Sequence, residues 1–143
     1  KLIKRDGLTI AGEPIDLDRI TQPLYAVGAE DDHIVPWRQS YKIRRYVNVS
    51  APVRYVLTTS GHIFGIVNAV VTPPRRSFWV ANPERNESYE HWLARADKHA
   101  GSWWEDWLAW LSPQCGPMVE PQLLSSKVDP ELGAAPGTYV FEK

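Results

Sequence analysis

Apolar and polar positions change period several times along this chain, and those changes mark out its elements. Leu24 to Val27 is a short apolar run closed by an acidic stretch, the pattern of a buried strand. From Trp37 to Val47, Tyr41, Arg44, Arg45 and Val47 divide into apolar and solvated faces. That predicts an amphipathic helix with Pro36 in its first turn, where a missing N–H costs nothing. Ala51-Pro52 breaks the helix, and Val53 to Leu57 reads as a second strand. The run Ile63 to Val71 is apolar with one glycine and fits either the start of a helix or a crossing loop. Thr72-Pro73-Pro74 ends it, Ser77 to Val80 reads as a short strand, and Asn82-Pro83 turns out of that strand.

The second half is helical in pattern. Asn86 is placed as the cap of a helix through Arg95, with Glu87 and Glu90 near its positive end. Ser102-Trp103-Trp104-Glu105 is a capping box with Ser102 at the N-cap and Glu105 at N3. The helix it opens carries Trp103, Trp107, Trp110 and Leu111 at helical spacing, widened by Trp104 and Leu108, and Pro113 stops it. Such a stripe reads first as a core face.

At the start, Leu2 to Ile10 alternates loosely around the turn signals Asp6-Gly7 and Gly12-Glu13-Pro14, so residues 1–15 form an arm or hairpin. Asp16 to Ile20 makes one helical turn before Pro23. Residues 16–112 are the body of the domain. Residues 113–143, where proline, glycine and serine gather, are an extended tail with Thr138 to Phe141 as an edge strand. Strand–helix–strand alternation in the first half gives the class α/β. The chain opens on Lys1, inside what reads as an element, as expected of a truncated start.

Composition changes this picture little. Apolar residues are 43% and charged residues 23%, the balance of an ordinary globular domain. The net charge is −1 and the basic pairs Arg44-Arg45 and Arg75-Arg76 are isolated, which argues against a nucleic-acid partner. No apolar run approaches the ~20 residues of a membrane span. A single cysteine, Cys115, leaves no internal disulfide framework and suits a reducing cytoplasm.

The candidate chemistry sits where the two strands end. Glu30-Asp31-Asp32-His33 follows the first and Ser60-Gly61-His62 follows the second. Open α/β sheets carry working residues at the carboxyl ends of their strands. Acid after one strand and histidine after the next is the order of the last two members of a nucleophile–acid–histidine triad on an α/β-hydrolase sheet. The imidazole takes the nucleophile's proton, and the carboxylate fixes its tautomer and stabilises the imidazolium. Spacing alone leaves Glu30, Asp31 and Asp32 in competition for the acid, against the plainer reading of a loop aspartate solvating the next helix. His62 has its own plain reading, a satisfied loop histidine beside a turn glycine.

His33 points away from its neighbour in an ordinary loop and buttresses it. His91 and His99 read as surface residues, and no histidines or acids stand at metal-ligand spacing. Cys115 lies between Pro113 and Pro117 after a helix end, with no Gly-x-Ser/Cys-x-Gly elbow around it, so it is rejected as the nucleophile. The nucleophile is expected upstream of Lys1.

Asp32-His33-Ile34-Val35-Pro36-Trp37, Tyr55-Val56-Leu57 running into Ser60-Gly61-His62-Ile63, Gly101-Ser102-Trp103-Trp104 with Trp107, and Ala135-Pro136-Gly137-Thr138-Tyr139-Val140 occur in this order. Together they resemble the C-terminal part of a polyhydroxyalkanoate synthase of the one-subunit type, over nearly the whole chain from about Asp16 onward. The resemblance implies the C-terminal portion of an α/β-hydrolase-like sheet followed by two tryptophan-rich helices and an extended tail. It implies an acyltransferase that polymerises 3-hydroxyacyl-CoA into polyester, releasing CoA, with a cysteine nucleophile in a Gly-x-Cys-x-Gly elbow.

Carried over, His62 matches the base that activates the cysteine and Asp32 matches the catalytic aspartate, which settles the choice among the three acids. His33 matches a supporting neighbour. No cofactor is implied, since the CoA thioester is the substrate. The implied partners are the growing polyester, its granule surface and a second copy in a homodimer, in the cytoplasm. A non-enzymatic granule- or synthase-binding remnant and an ordinary esterase fragment are the alternatives. The chain departs from the family pattern after His62, where Ala69-Val70-Val71-Thr72 separates Asn68 from Pro73.

Overall fold

The computed structural model describes residues 2–121, 137 and 139–142. β1 (Leu8–Ile10) and β2 (Glu13–Ile15) pair as an antiparallel hairpin, and a 3-10 turn follows at Leu17–Arg19. The main sheet contains β3 (Leu24–Ala29), β4 (Val53–Thr58), β5 (Ser77–Ala81) and β6 (Asp97–Ala100) in the spatial order β3-β4-β5-β6. β3 and β4 are parallel; β4–β5 and β5–β6 are antiparallel. A parallel pair joined through helical turns, with helices on both faces of a mixed sheet, is α/β architecture. β6 has no signature in the sequence because all four of its residues are exposed.

The helix expected over Trp37 to Val47 is instead two single turns, α1 (Trp37–Ser40) and α2 (Ile43–Tyr46), with Pro36 at the N-cap position. Lys42, at ψ −8°, opens the ladder between them. The Trp37 carbonyl also receives the hydroxyls of Ser40 (3.0 Å) and Tyr55 (3.0 Å), which holds the first turn against β4. Gly28 makes that approach possible, since a Cβ there would lie 2.3 Å from the Tyr55 hydroxyl and 2.9 Å from Trp37 Cβ.

α3 (Tyr89–Arg95) starts later than expected and is capped by Ser88, whose Oγ accepts from the His91 N–H at 3.2 Å, not by Asn86. Glu87 does not act at the helix start but is buried before it. It is held by Arg95 (Nε–Oε1 2.6 Å, Nη2–Oε2 2.7 Å) and accepts from the Glu84 N–H at 3.1 Å.

Alternation along β4 assigns the two faces of the sheet. Tyr55 and Leu57 pack with Trp37, Tyr41 and the fully buried Trp92 of α3. Val56, with Phe78 and Val80 of β5, faces Tyr25 and Trp103 on the opposite side. A third group, Val47, Ala51 and Val53, closes the foot of β4.

α4 (Trp103–Leu111) lies across the second face, capped by Ser102, whose Oγ accepts from the Trp104 N–H at 3.1 Å. Asp106 clamps α4 to the sheet. It accepts from Tyr25 OH at 2.7 Å and Arg54 Nε at 2.8 Å, and a second Arg54 nitrogen makes the pair bidentate. Burial opposes ionisation of Asp106, but the bonds from Arg54 and Tyr25 outweigh it and hold the carboxyl below its usual range.

The tryptophan stripe divides. Trp103 and Trp110 pack on Tyr25, with ring centroids 6.0 and 5.3 Å away, whereas Trp104, Trp107 and Leu108 are exposed. The whole stripe is therefore not a core face. The edge strand expected at Thr138 to Phe141 is not formed: Tyr139–Phe141 is a 3-10 turn, and Thr138 lies outside the described residues. Most of the remaining tail, residues 122–136, also lies outside them.

Candidate active site

The parallel register fixes where the two loops emerge. Leu24 pairs with Val53 and Ala29 with Thr58, so β3 and β4 end level with one another. Adjacent strands lie about 4.8 Å apart, so the chains leaving them begin as neighbours. The backbone continues the pairing past the strand ends: Glu30 N–H donates to Thr58 O at 2.8 Å and Asp31 N–H to Ser60 O at 3.1 Å.

Beyond that point Asp32 turns inward. Its Oδ1 accepts from the N–H groups of Ile34 (2.9 Å) and Val35 (2.8 Å), an Asx-type turn that leads into Pro36 and α1. Its Oδ2 faces His62 Nδ1 at 2.9 Å. The Asp32 side chain is only 6% exposed, while that of His62 is 44% exposed. The Val35 N–H is the largest influence holding the Asp32 carboxyl below its ordinary range; burial works against it, and His62 and Ile34 assist.

The histidine loop is held as closely as the acidic one. Ser60 takes φ 84°, in the left-handed region that non-glycine residues seldom adopt, and this reverses the chain into Gly61-His62. After His62 the open choice between helix and loop resolves as a loop that begins with hydrogen-bonded turns: Gly65 N–H donates to Gly61 O at 2.8 Å and Val67 N–H to Ile63 O at 2.7 Å. Gly65 is buried against β3, where a Cβ would meet Ala29 Cβ at 2.5 Å and Gly61 O at 2.8 Å. Its carbonyl accepts from Thr58 Oγ1 (3.0 Å) and from the Trp103 indole N–H (3.0 Å).

Of the sequence candidates, the structure joins Asp32 to His62 and leaves Glu30 and Asp31 exposed, tied among the described residues only through their backbone N–H groups. His33 is exposed, and among the described residues no hydrogen bond or ion pair joins it to either member. Cys115 is exposed at the end of the 3-10 turn that follows α4. Ser60, Thr58, Gly65 and Trp103 were not singled out for the site from sequence; the Ser-Gly dipeptide signals only that a turn is present. Among the described residues no group of three or more His, Cys, Asp or Glu side chains could share a metal ion, and no helix is long and apolar enough to cross a membrane.

With Oδ2 of a carboxylate on Nδ1, the neutral imidazole carries its proton there and leaves Nε2 as the free base. Held in this way, Nε2 can accept a proton from a group brought against it.

No family model matches the chain. Curated relatives do match, over almost all of it. The chain is 41% identical to the poly(3-hydroxyalkanoate) polymerase subunit PhaC of Cupriavidus necator over 140 residues, 95% of this chain and 23% of that protein. The chain is related to the poly(3-hydroxyalkanoate) polymerases. It is also 37% identical to poly(3-hydroxyalkanoate) polymerase 2 of Ectopseudomonas oleovorans (96% of the chain, 24% of that protein) and 33% identical to polymerase 1 of the same organism (99% and 25%). It thus spans about a quarter of the length of these polymerases.

Proposed function

We propose that this chain supplies the acid and the base of a nucleophile–acid–histidine triad in a poly(3-hydroxyalkanoate) polymerase, as the C-terminal portion of an α/β-hydrolase-like catalytic domain. The observation that carries this reading is the 2.9 Å contact between His62 Nδ1 and Asp32 Oδ2 at the carboxyl ends of two parallel strands. The nucleophile is a cysteine thiol from the part of the longer protein that the chain does not span.

In this reading His62 Nε2 takes the thiol proton, and the Asp32 carboxylate stabilises the imidazolium that results. The thiolate attacks the carbonyl of a 3-hydroxyacyl-CoA. A new carbon–sulfur bond forms, the bond to CoA sulfur breaks, and CoA leaves with the proton held by His62. His62 then takes the proton of a 3-hydroxyl group, whose oxygen attacks the acyl thioester on the cysteine; the ester bond forms, the acyl carbon–sulfur bond breaks, and the cysteine sulfur leaves as a thiol with the proton held by His62. His33 is assigned a supporting role in the loop. No cofactor enters, because the thioester itself carries the activation. The cytoplasm, the granule surface and a homodimer are the setting that goes with this assignment.

The test is His62→Ala in a protein of the relatives' full length that carries this chain. CoA release falls by about 10⁶-fold, the scale on which a triad histidine is lost. Turnover close to the parent's would overturn the assignment.

A second reading rests on a different observation. Val70, Trp104, Glu105, Trp107 and Leu108 line an almost wholly apolar concavity of about 270 Å³. A non-enzymatic module that binds polyester through that surface would co-sediment with granules equally well with His62 or with Ala at that position.

A further inference from the structure

Among the described residues His62 has one side-chain partner, and its imidazole is 44% exposed, so packing against them does little to aim it. Its direction depends on the backbone on either side. On the near side, Ser60 is pinned by the Asp31 N–H and held at φ 84°. On the far side, three consecutive residues at the start of α4 donate to carbonyls of the turn that follows His62, adding to the Thr58 hydroxyl already on Gly65 O. The Trp103 indole N–H donates to Gly65 O at 3.0 Å, the Trp104 indole N–H to Ile66 O at 3.1 Å, and Ser102 Oγ to Asn68 O. Asn68 itself is buried at 2% exposure.

A tryptophan serving only as core would bury its ring. Trp104 keeps 37% of its surface exposed, yet its N–H is directed onto a loop carbonyl. α4 is in turn fixed to the sheet by the Asp106–Arg54–Tyr25 clamp, so the donors project from a rigid base.

We infer that Ser102, Trp103 and Trp104 are positioning residues for His62: the first turn of α4 grips the carbonyls of residues 65, 66 and 68 and so sets the approach of the imidazole to Asp32. This inference rests on the functional reading above but is tested without it, because the readout is the state of one ring in this chain.

Trp103→Phe and Trp104→Phe keep an aromatic ring and remove the indole N–H. In ¹⁵N-labelled protein, two quantities are followed: the share of neutral His62 protonated at Nδ1, and hydrogen exchange at the Gly65 and Val67 amides. Each variant speeds exchange at those amides about fivefold, the scale of one lost neutral hydrogen bond, while the Val56 amide in β4 is unchanged. Each also lowers the Nδ1–H share at His62, most in the double variant. Faster loop exchange with an unaltered His62 ring would overturn the inference, as would no change in either.

Should Trp103→Phe unfold the chain, Trp104→Phe at the half-exposed position carries the same test. In the longer polymerase, kcat falls with KM held. If that protein shows no CoA release in any form while the ring responds as stated, the functional assignment fails and the positioning role stands.

Discussion

Oδ1 and Oδ2 of Asp32 do different work: Oδ1 accepts the N–H groups of Ile34 and Val35, and Oδ2 alone faces Nδ1 of His62. The loop is therefore shaped by one oxygen and the imidazole is aligned by the other. Replacing Asp32 by Asn separates these roles, because the amide oxygen can still accept from the backbone while an NH₂ group now faces the ring.

On the proposed assignment, the Asp32→Asn protein keeps its fold and the polymerase that carries it loses activity. In a full-length polymerase, CoA release falls by about 10⁴-fold, as when a triad acid is turned into an amide. Circular dichroism and the thermal midpoint stay near those of the parent.

Gly65→Ala tests the backing of the histidine turn. Its Cβ would stand 2.5 Å from Ala29 Cβ and 2.8 Å from Gly61 O, so the turn or β3 must move. The cost is about 1–3 kcal/mol, the range for overpacking a tight site, read as a lower urea midpoint. The loss of CoA release exceeds what partial unfolding explains, because the displaced turn carries His62.

Trp92 is fully buried among Tyr41, Tyr55 and Leu57, and its indole N–H donates to Ala81 O at 3.2 Å. Trp92→Ala removes a large core side chain and leaves that carbonyl without its donor. Destabilisation of about 3–5 kcal/mol follows, measured by urea denaturation.

Glu87 makes the fold acid-sensitive. The Arg95 guanidinium is the main cause holding its carboxyl at about 2, against an ordinary value of 4.5, with burial opposing and the Glu84 N–H assisting. A carboxyl depressed in the folded state contributes its full stability above 4.5 and loses it as pH falls toward 2. Unfolding midpoints recorded through that window fall in the parent and fall less in Glu87→Gln, whose lower starting stability reflects the broken pair with Arg95.

Much of the site was legible because strand order and loop position are written in short-range patterns. Apolar runs ending in Glu30-Asp31-Asp32 and Ser60-Gly61-His62 place two polar loops at one sheet edge. What the pattern could not contain was the choice of Asp32 over its neighbours, which depends on an Asx turn two residues long; the family resemblance pointed to it, and the geometry joins that carboxylate to the ring. The α1–α2 break escaped because it rests on a displaced ψ at Lys42, −8° within the right-handed helical region, which the side chain does not advertise. β6 escaped because an exposed edge strand has no apolar period. Asn86 and Ser88 are both good caps by residue type, and only the burial of Glu87 with Arg95 shows which one is used.

The most direct measurement is the protonation site of neutral His62, read from its two ring ¹⁵N shifts in this chain and in Asp32→Asn. The parent carries its proton on Nδ1, leaving Nε2 free as the base; the variant, with an NH₂ group facing Nδ1, carries it on Nε2. A parent ring protonated at Nε2, or the same tautomer in both proteins, would contradict the account.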